Sequence, residues 1–109
     1  MNLYSDILLD HARNPRNVGK FSDASATATE TNVSCGDSIK VYIKNKKIKY
    51  EVEGCAVATA SASILSGQDL SKLTKMTEKD LMDLLGFELT PARIKCAVLP
   101  LLAIKKAIN

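Results

Sequence analysis

Two short runs of alternating apolar and polar residues, separated by a two-residue turn, place the tightest constraint on how this chain can fold. The runs cover residues 38–44 and 47–53, and the turn is Asn45-Lys46. Successive side chains of a strand point to opposite faces, so this pattern predicts an antiparallel hairpin with one face in the core and one in water. The predicted core face carries six residues: Ile39, Val41, Ile43, Ile48, Tyr50 and Val52. A lone hairpin cannot bury such a face, so helices are expected to cover it.

The remaining segments predict one further strand and four helices. Residues 24–33, with several threonines, predict an edge strand. The helices are predicted over residues 3–11, 56–66, 77–85 and 91–108. Asn14-Pro15 ends the first helix, and Gly67 ends the second, which is rich in Ala and Ser. A capping box of Thr77 and Asp80 opens the third helix and Gly86 closes it, while Pro100 is expected to kink the fourth. The predicted fold class is α+β, with a three-stranded antiparallel sheet packed against helices.

Length and composition limit the classes of protein to which the chain can belong. The 109 residues predict a single domain over 1–109, and 46% hydrophobic with 25% charged residues is typical of a globular protein. Few aromatic residues and no Trp argue against nucleic-acid binding. Neither a membrane span nor a signal peptide is recognisable, so a cytoplasmic location is expected. Three cysteines in a reducing compartment favour metal binding or thiol chemistry over a disulfide framework.

The strongest candidate for chemistry is the segment Cys35-Gly36-Asp37 at the start of the hairpin. In extended backbone, side chains two positions apart point to the same side, which predicts a thiolate and a carboxylate next to each other. Cys55 follows the hairpin at a strand-to-helix junction, and Cys96 falls in the first two turns of the last helix. Soft thiolates suit zinc, copper(I) and iron–sulfur centres, and a carboxylate can complete a set for zinc or iron.

Spacing alone leaves other interpretations open. No CxxC pair occurs, and three small buried hydrophobic residues explain the cysteines equally well. Asp37 taken alone fits a turn or cap, and His11, the single histidine, fits capping or packing better than catalysis because no partner motif accompanies it. The lysines around the hairpin turn fit a solvated surface, with an acidic partner as the alternative.

Several short motifs, taken in order, make the chain resemble the IscU/SufU/NifU-N-type iron–sulfur cluster assembly proteins. The motifs are Asp10-His11 with residues 14–19 (Asn-Pro-Arg-Asn-Val-Gly), Cys35-Gly36-Asp37, Gly54-Cys55, the small-residue stretch 60–63 and residues 91–96 (Pro-Ala-Arg-Ile-Lys-Cys). Each motif is weak alone, but their order and spacing cover nearly the whole chain. The resemblance therefore outweighs the interpretation of the cysteines as plain core residues.

The resemblance implies a compact domain whose site is formed by Cys35, Asp37, Cys55 and Cys96. Proteins like these accept sulfur from a cysteine desulfurase, hold a nascent [2Fe–2S] cluster, and often carry zinc when no cluster is present. Cys35 and Cys96 are then the candidate sulfur acceptors. The implied partners are the desulfurase, an iron donor of the frataxin type and apo-acceptor proteins. A carboxylate ligand would hold the cluster less firmly than a fourth thiolate, which suits release.

Three differences from the family pattern matter. Lys95 stands where IscU-type scaffolds have a histidine, and an ammonium cannot ligate, so the fourth ligand falls to Asp37, water or a partner. Lysine there looks like the SufU branch, yet residues 66–89 are too short for the SufU insertion. Residues 89–93 (Leu-Thr-Pro-Ala-Arg) replace the Leu-Pro-Pro-Val-Lys segment that a dedicated Hsp70 chaperone grips, so recognition by that chaperone is not predicted.

The predicted function is a non-enzymatic iron–sulfur cluster assembly scaffold. Within the family, the alternative is a zinc-dependent SufU-like sulfurtransferase, which would be an enzyme. An alternative from another class is a small zinc-stabilised interaction domain, in which losing a cysteine would unfold the chain. The sequence leaves open the metal occupancy, the first sulfur acceptor, the branch and the oligomeric state.

Overall fold

Three antiparallel strands form one sheet in the order β1-β2-β3 in this computed structural model, which describes residues 5–34, 36–86 and 89–109. The strands are β1 (Ala26–Asn32), β2 (Asp37–Lys44) and β3 (Lys47–Glu53). Val41 pairs with Tyr50 and Ile39 with Val52, which puts the predicted apolar residues on one face. Both the hairpin and the edge position of β1 are as predicted, and the predicted fold class is confirmed.

Five helices accompany the sheet among the described residues: α1 (Asp6–Arg13), α2 (Ala56–Ser66), α3 (Leu70–Lys75), α4 (Glu78–Leu85) and α5 (Pro91–Ile108). Four were predicted, and α3 was not. The first predicted helix was placed too early, because Ser5 is its N-cap and accepts from the N–H of Leu8; residues 1–4 lie outside the described part. The capping box of Thr77 and Asp80 opens α4 as predicted, and Gly86 closes it with φ +71°. Pro100 lies within α5, which is a single helix from Pro91 to Ile108, and the kink at Pro100 stays a prediction.

Helix α2 lies at the centre of the molecule. Nearly all of its residues are buried, from Val57 and Ala58 through Ala60 to Ser66, which is typical of a helix covered on every side. It packs against α1, α5 and β3, and α5 also packs against β1 and β2. Small side chains allow this close approach, and the hydroxyl of Ser61 donates to the carbonyl of Ala97 on α5 at 2.6 Å. Helix α2 is therefore fixed between the sheet and α5.

Both outer edges of the sheet are partly covered. Along β3, the N–H of Gly19 donates to the carbonyl of Tyr50 at 2.9 Å, and the N–H of Tyr50 donates to the carbonyl of Asn17 at 3.3 Å. Along β1, α5 packs against the strand, and Lys106 donates to the carbonyl of Thr29. Such cover reduces pairing with other chains. None of the helices in the described ranges has the length and apolar character that crossing a membrane requires.

Candidate metal centre

Asp37 begins β2 and is buried, with 3% of its surface exposed. Its carboxylate accepts a hydrogen bond from the backbone N–H of Cys55, with 3.2 Å between N and Oδ1. In the described part of the chain, the ion pairs lie elsewhere, at Arg16–Asp10, Lys44–Asp23 and Lys106–Glu30. A buried carboxylate without a cation is costly, so this position is suited to a metal ion.

Cys55 occupies the N-cap position of α2, directly after the end of the hairpin. Its backbone is extended, and its side chain makes no capping hydrogen bond. The thiol instead faces Asp37, with 3.9 Å between Sγ and Oδ2. The Cys55 sulfur is therefore directed at the carboxylate of Asp37 and not at the backbone of its own helix.

Cys96 lies in the second turn of α5, with 1% of its surface exposed. Its Sγ is 3.6 Å from the carbonyl oxygen of Ala92 on the preceding turn. The neighbouring Ala97 is tied to α2 through Ser61, so the packing of α5 on α2 also sets the position of Cys96. Three different elements thus supply Asp37, Cys55 and Cys96.

The three side chains converge on one point. One ligand atom from each of Asp37, Cys55 and Cys96 lies within 4.8 Å of the other two. Tetrahedral zinc with thiolate and carboxylate ligands needs neighbouring ligand atoms roughly 3.5 to 3.8 Å apart, as its bond lengths imply. The 3.9 Å between Cys55 Sγ and Asp37 Oδ2 is close to that value. Two soft thiols and one carboxylate therefore fit zinc or iron, with further positions left for other ligands.

Cys35, the fourth predicted ligand, lies outside the described residues, so its place in the site remains a prediction. The adjoining Gly36 has φ +74°, a conformation that glycine adopts readily. Lys95, next to Cys96, is exposed and lines a groove of about 300 Å³ together with Val33 and Leu102. An ammonium has no lone pair to offer a metal, and that Lys95 is not a ligand remains a prediction.

His11 lies apart from this centre, at the interface of α1 and α2. Its Nδ1 is 2.7 Å from the hydroxyl oxygen of Ser63, and that oxygen accepts from the backbone N–H of Arg16 at 2.8 Å. The Arg16 side chain in turn pairs with Asp10. Burial lowers the pKa of His11, as does the nearby Arg16, while Asp10 partly opposes them. The Asp10-His11 motif thus joins α1 and the following loop to α2, in line with the packing role expected for His11.

Gly54 is the residue whose part in the site the sequence analysis missed. It precedes Cys55, and the space beside its Cα is filled by the side chain of Asp37. A glycine between a strand end and a candidate ligand was a visible signal, but only the three-dimensional contact shows what it accommodates.

Comparison with known proteins assigns the chain to a family. Residues 3–109 match the family model described as the NifU-like N terminal domain. The chain is 36% identical to the iron–sulfur cluster assembly scaffold protein IscU 1 of Archaeoglobus fulgidus, covering 97% of this chain and 74% of that protein. It is 33% identical to the zinc-dependent sulfurtransferase SufU of Bacillus subtilis, covering 97% and 89%.

A solved structure supports the same fold. The crystal structure of a protein from Fervidobacterium islandicum AW-1, described as an assembly scaffold for the SUF system, superimposes with a TM-score of 0.76 over 98% of this chain and 97% of that one, at 22% identity. The fold and the site together define a small α+β protein with a cysteine- and aspartate-based centre. The chain belongs to the NifU-like N-terminal domain family, which confirms the family predicted from the motifs.

Proposed function

We propose that this protein is an iron–sulfur cluster assembly scaffold, which accepts sulfur from a cysteine desulfurase, assembles a transient [2Fe–2S] cluster and passes it to acceptor proteins. The observation that carries the proposal is the convergence of Asp37, Cys55 and Cys96 on one point. The scaffold name of its IscU relatives in Archaeoglobus fulgidus and Escherichia coli supports the same function.

The proposed ligands of the cluster are Cys35, Asp37, Cys55 and Cys96. Thiolates are the usual ligands of iron–sulfur clusters, and a carboxylate oxygen is a harder donor that binds such iron less firmly. Asp37 is already held by the N–H of Cys55, so it would offer Oδ2 without further ordering. A site of this composition favours a cluster that can be released, as a scaffold requires.

Sulfur transfer would proceed by attack of a thiolate of this chain on the outer sulfur of the desulfurase persulfide. The sulfur–sulfur bond of the donor breaks, the desulfurase cysteine leaves as a thiolate, and a persulfide forms on this chain. Cys35 and Cys96 are the candidate acceptors. Cys96 is 1% exposed, so delivery to it requires that part of its cover move, whereas Cys55 is only partly buried.

The alternative is a zinc-dependent sulfurtransferase that stimulates its desulfurase. Two observations favour it: the 33% identity to SufU, and Lys95 at the position where IscU-type scaffolds have histidine. When bound, zinc would fix the thiols as thiolates and leave the cluster-free site ordered. Asp37, Cys55 and Cys96 would be among its ligands.

A zinc-stabilised interaction domain has less support. The described residues form a continuous apolar core that includes Leu8, Val41, Leu65 and Ile104, none of which is a candidate metal ligand. Loss of one ligand is therefore expected to leave the protein folded.

The proposed partners follow from the scaffold role. They are a cysteine desulfurase, an iron donor of the frataxin type and apo-acceptor proteins, in the cytoplasm, where thiols remain reduced. Neither nucleic acid nor a membrane is a proposed partner. Recognition by the dedicated Hsp70 chaperone is not proposed, because Thr90 and Ala92 replace residues of its motif.

Anaerobic reconstitution with a cysteine desulfurase, cysteine and ferrous iron distinguishes scaffold from sulfurtransferase. Zinc-free and zinc-loaded protein are compared, with visible absorption and desulfurase turnover followed together. The scaffold predicts a [2Fe–2S] chromophore on the zinc-free protein. If only the zinc-loaded form accelerates the desulfurase and no chromophore appears, the result contradicts the scaffold function and supports the sulfurtransferase.

A further inference from the structure

The side chain of Asp37 fills the space that a side chain at position 54 would occupy. A Cβ built on Gly54 would lie 2.5 Å from Oδ1, 2.8 Å from Cγ and 3.1 Å from Cβ of Asp37. Cβ atoms essentially never approach other atoms below 3.0 Å, so at least one group would have to move. The positive-φ residues in the described ranges do not include Gly54, so the missing side chain, and not an unusual backbone, explains the glycine.

The backbone of Asp37 cannot easily move away from such a contact. Asp37 pairs with Asn32 on β1, and its neighbour Ser38 pairs with Glu53 on β3, the residue before Gly54. Both chain segments are therefore fixed by the same sheet. The response left to Asp37 is rotation of its side chain.

That rotation would break the arrangement at the metal centre. The carboxylate now accepts from the N–H of Cys55 through Oδ1, and its Oδ2 faces the thiol of Cys55. Turning the side chain away from Gly54 removes the oxygen that faces Cys55 and leaves the N–H of Cys55 without its acceptor. A single added methyl group at position 54 would thus act on a candidate ligand that is 17 residues earlier in the chain.

We propose that Gly54 is a positioning residue, which keeps the carboxylate of Asp37 at the metal centre by leaving room for it. The part of this proposal that concerns metal affinity rests on the proposed function, and the steric part does not. Changing a group that orients a metal ligand typically costs about 10- to 100-fold in metal affinity. We expect Gly54→Ala to weaken zinc binding by a factor in that range.

A double-mutant cycle tests the proposal, using Gly54→Ala, Asp37→Ala and the variant with both changes. Zinc affinity is measured by competition with a chelator, and urea unfolding is measured on the metal-free proteins. Gly54→Ala should weaken zinc binding about as much as Asp37→Ala, and the double variant should bind no more weakly than Asp37→Ala. Without metal, Gly54→Ala should lower the urea midpoint of the parent, and most of this shift should vanish when Asp37 is Ala.

Gly67→Ala is the matched control, at the opposite end of α2. A Cβ there would lie 3.7 Å from the carbonyl oxygen of Ile64, which is an ordinary contact, and its φ is −91°. We expect zinc affinity to stay within twofold of the parent. In the amide spectrum of Gly54→Ala, the Cys55 signal should shift upfield as its hydrogen bond is lost, and Gly67→Ala should leave that signal unchanged.

The outcomes separate the two proposals. Parent-like zinc affinity in Gly54→Ala, or an equal loss whether or not Asp37 is present, would overturn the positioning role. If the parent itself binds no zinc or iron, the proposed function fails, while a urea shift that depends on Asp37 would still support the steric role. If Gly54→Ala does not fold, the double variant decides: folding restored by Asp37→Ala supports the proposal, and continued unfolding contradicts it.

Discussion

The backbone N–H of Cys55 donates a hydrogen bond to Oδ1 of Asp37, 3.2 Å away, although 18 residues separate the two in sequence. This bond connects the first residue of β2 with the N-cap of α2. The two oxygens of the carboxylate therefore make different contacts. Oδ1 accepts the backbone hydrogen bond, and Oδ2 faces the Cys55 thiol at 3.9 Å. The same interaction thus orders the local fold and presents an oxygen to the candidate metal centre.

Replacing Asp37 by Ala should lengthen the life of a bound [2Fe–2S] cluster. The change removes an oxygen ligand, and another donor that holds iron more firmly can take its position. Decay of the visible absorption in the presence of a chelator is compared between the parent and Asp37→Ala. Asp69→Ala, at an exposed N-cap that makes no side-chain hydrogen bond, is the control and should decay like the parent. Faster decay in Asp37→Ala would contradict the role assigned to this carboxylate.

Lys95→Ala should leave the number of bound metal ions unchanged. The Lys95 side chain is exposed in a groove beside Val33 and Glu78, and its ammonium has no lone pair to offer a metal. Removing a positive charge beside an anionic site should alter affinity modestly, more at low salt than at high salt. Metal analysis of the purified variant checks the stoichiometry. Loss of one equivalent would show that Lys95 is a ligand after all.

Acidification should destabilise the metal-free protein through His11. Because burial lowers the pKa of His11 in the folded state, the unfolded chain binds the proton more tightly. The resulting stability is present above the unfolded pKa of about 6.5 and is lost as the pH falls through the lower folded value. Urea unfolding of the parent and His11→Gln between pH 7.5 and 5.5 measures the effect. A pH dependence of equal size in both proteins would refute the assignment.

Thr77→Ala should lower the free energy of unfolding by about 1 kcal/mol, the usual cost of losing an N-cap side chain. Thr77 accepts from the N–H of Asp80 at 3.1 Å, and Asp80 accepts from the N–H of Thr77 at 3.0 Å. Thr90 is the matched control, because it occupies the N-cap of α5 without a side-chain capping bond. Chemical denaturation should find Thr90→Ala less destabilised than Thr77→Ala. The reverse order would show that the capping box contributes little.

Strong local signals made much of the fold predictable. The hairpin was predictable because alternation over residues 38–53 leaves one register that buries a single face. Helix α3 (Leu70–Lys75) was missed because six residues hold too few apolar positions to show a period, and Asp69 makes no capping bond. Tyr42 alternates with Val41 and Ile43, which puts it on the face opposite the predicted core, yet it is 7% exposed. Lys40 lies over its ring, and Glu51 accepts from its hydroxyl. The alternation of apolar and polar residues along a strand does not show whether neighbouring side chains will cover a residue in this way.

The sequence pattern alone offered the candidate ligands, and only the resemblance to a family favoured a shared site over three buried core cysteines. Neighbouring elements bring Asp37 and Cys55 together, since the hairpin returns the chain to its starting end. The approach of Cys96 depends on how α5 packs against α2, which spacing along the chain does not encode. The contact between Gly54 and Asp37 could likewise not be predicted from the sequence. It depends on distances between the Gly54 backbone and the Asp37 side chain that are set by the packing of the folded chain.

The most direct test of the central claim, that Asp37, Cys55 and Cys96 form one metal centre, is anaerobic titration of the metal-free protein with Co²⁺. Absorption bands from thiolate-to-cobalt charge transfer report on sulfur ligands, and the weaker visible bands report on tetrahedral geometry. We predict saturation at one equivalent in the parent and a weaker charge-transfer band in both Cys55→Ser and Cys96→Ser. In Asp37→Ala, only the visible bands should shift. Charge-transfer bands of parental strength in either cysteine variant would contradict the shared centre.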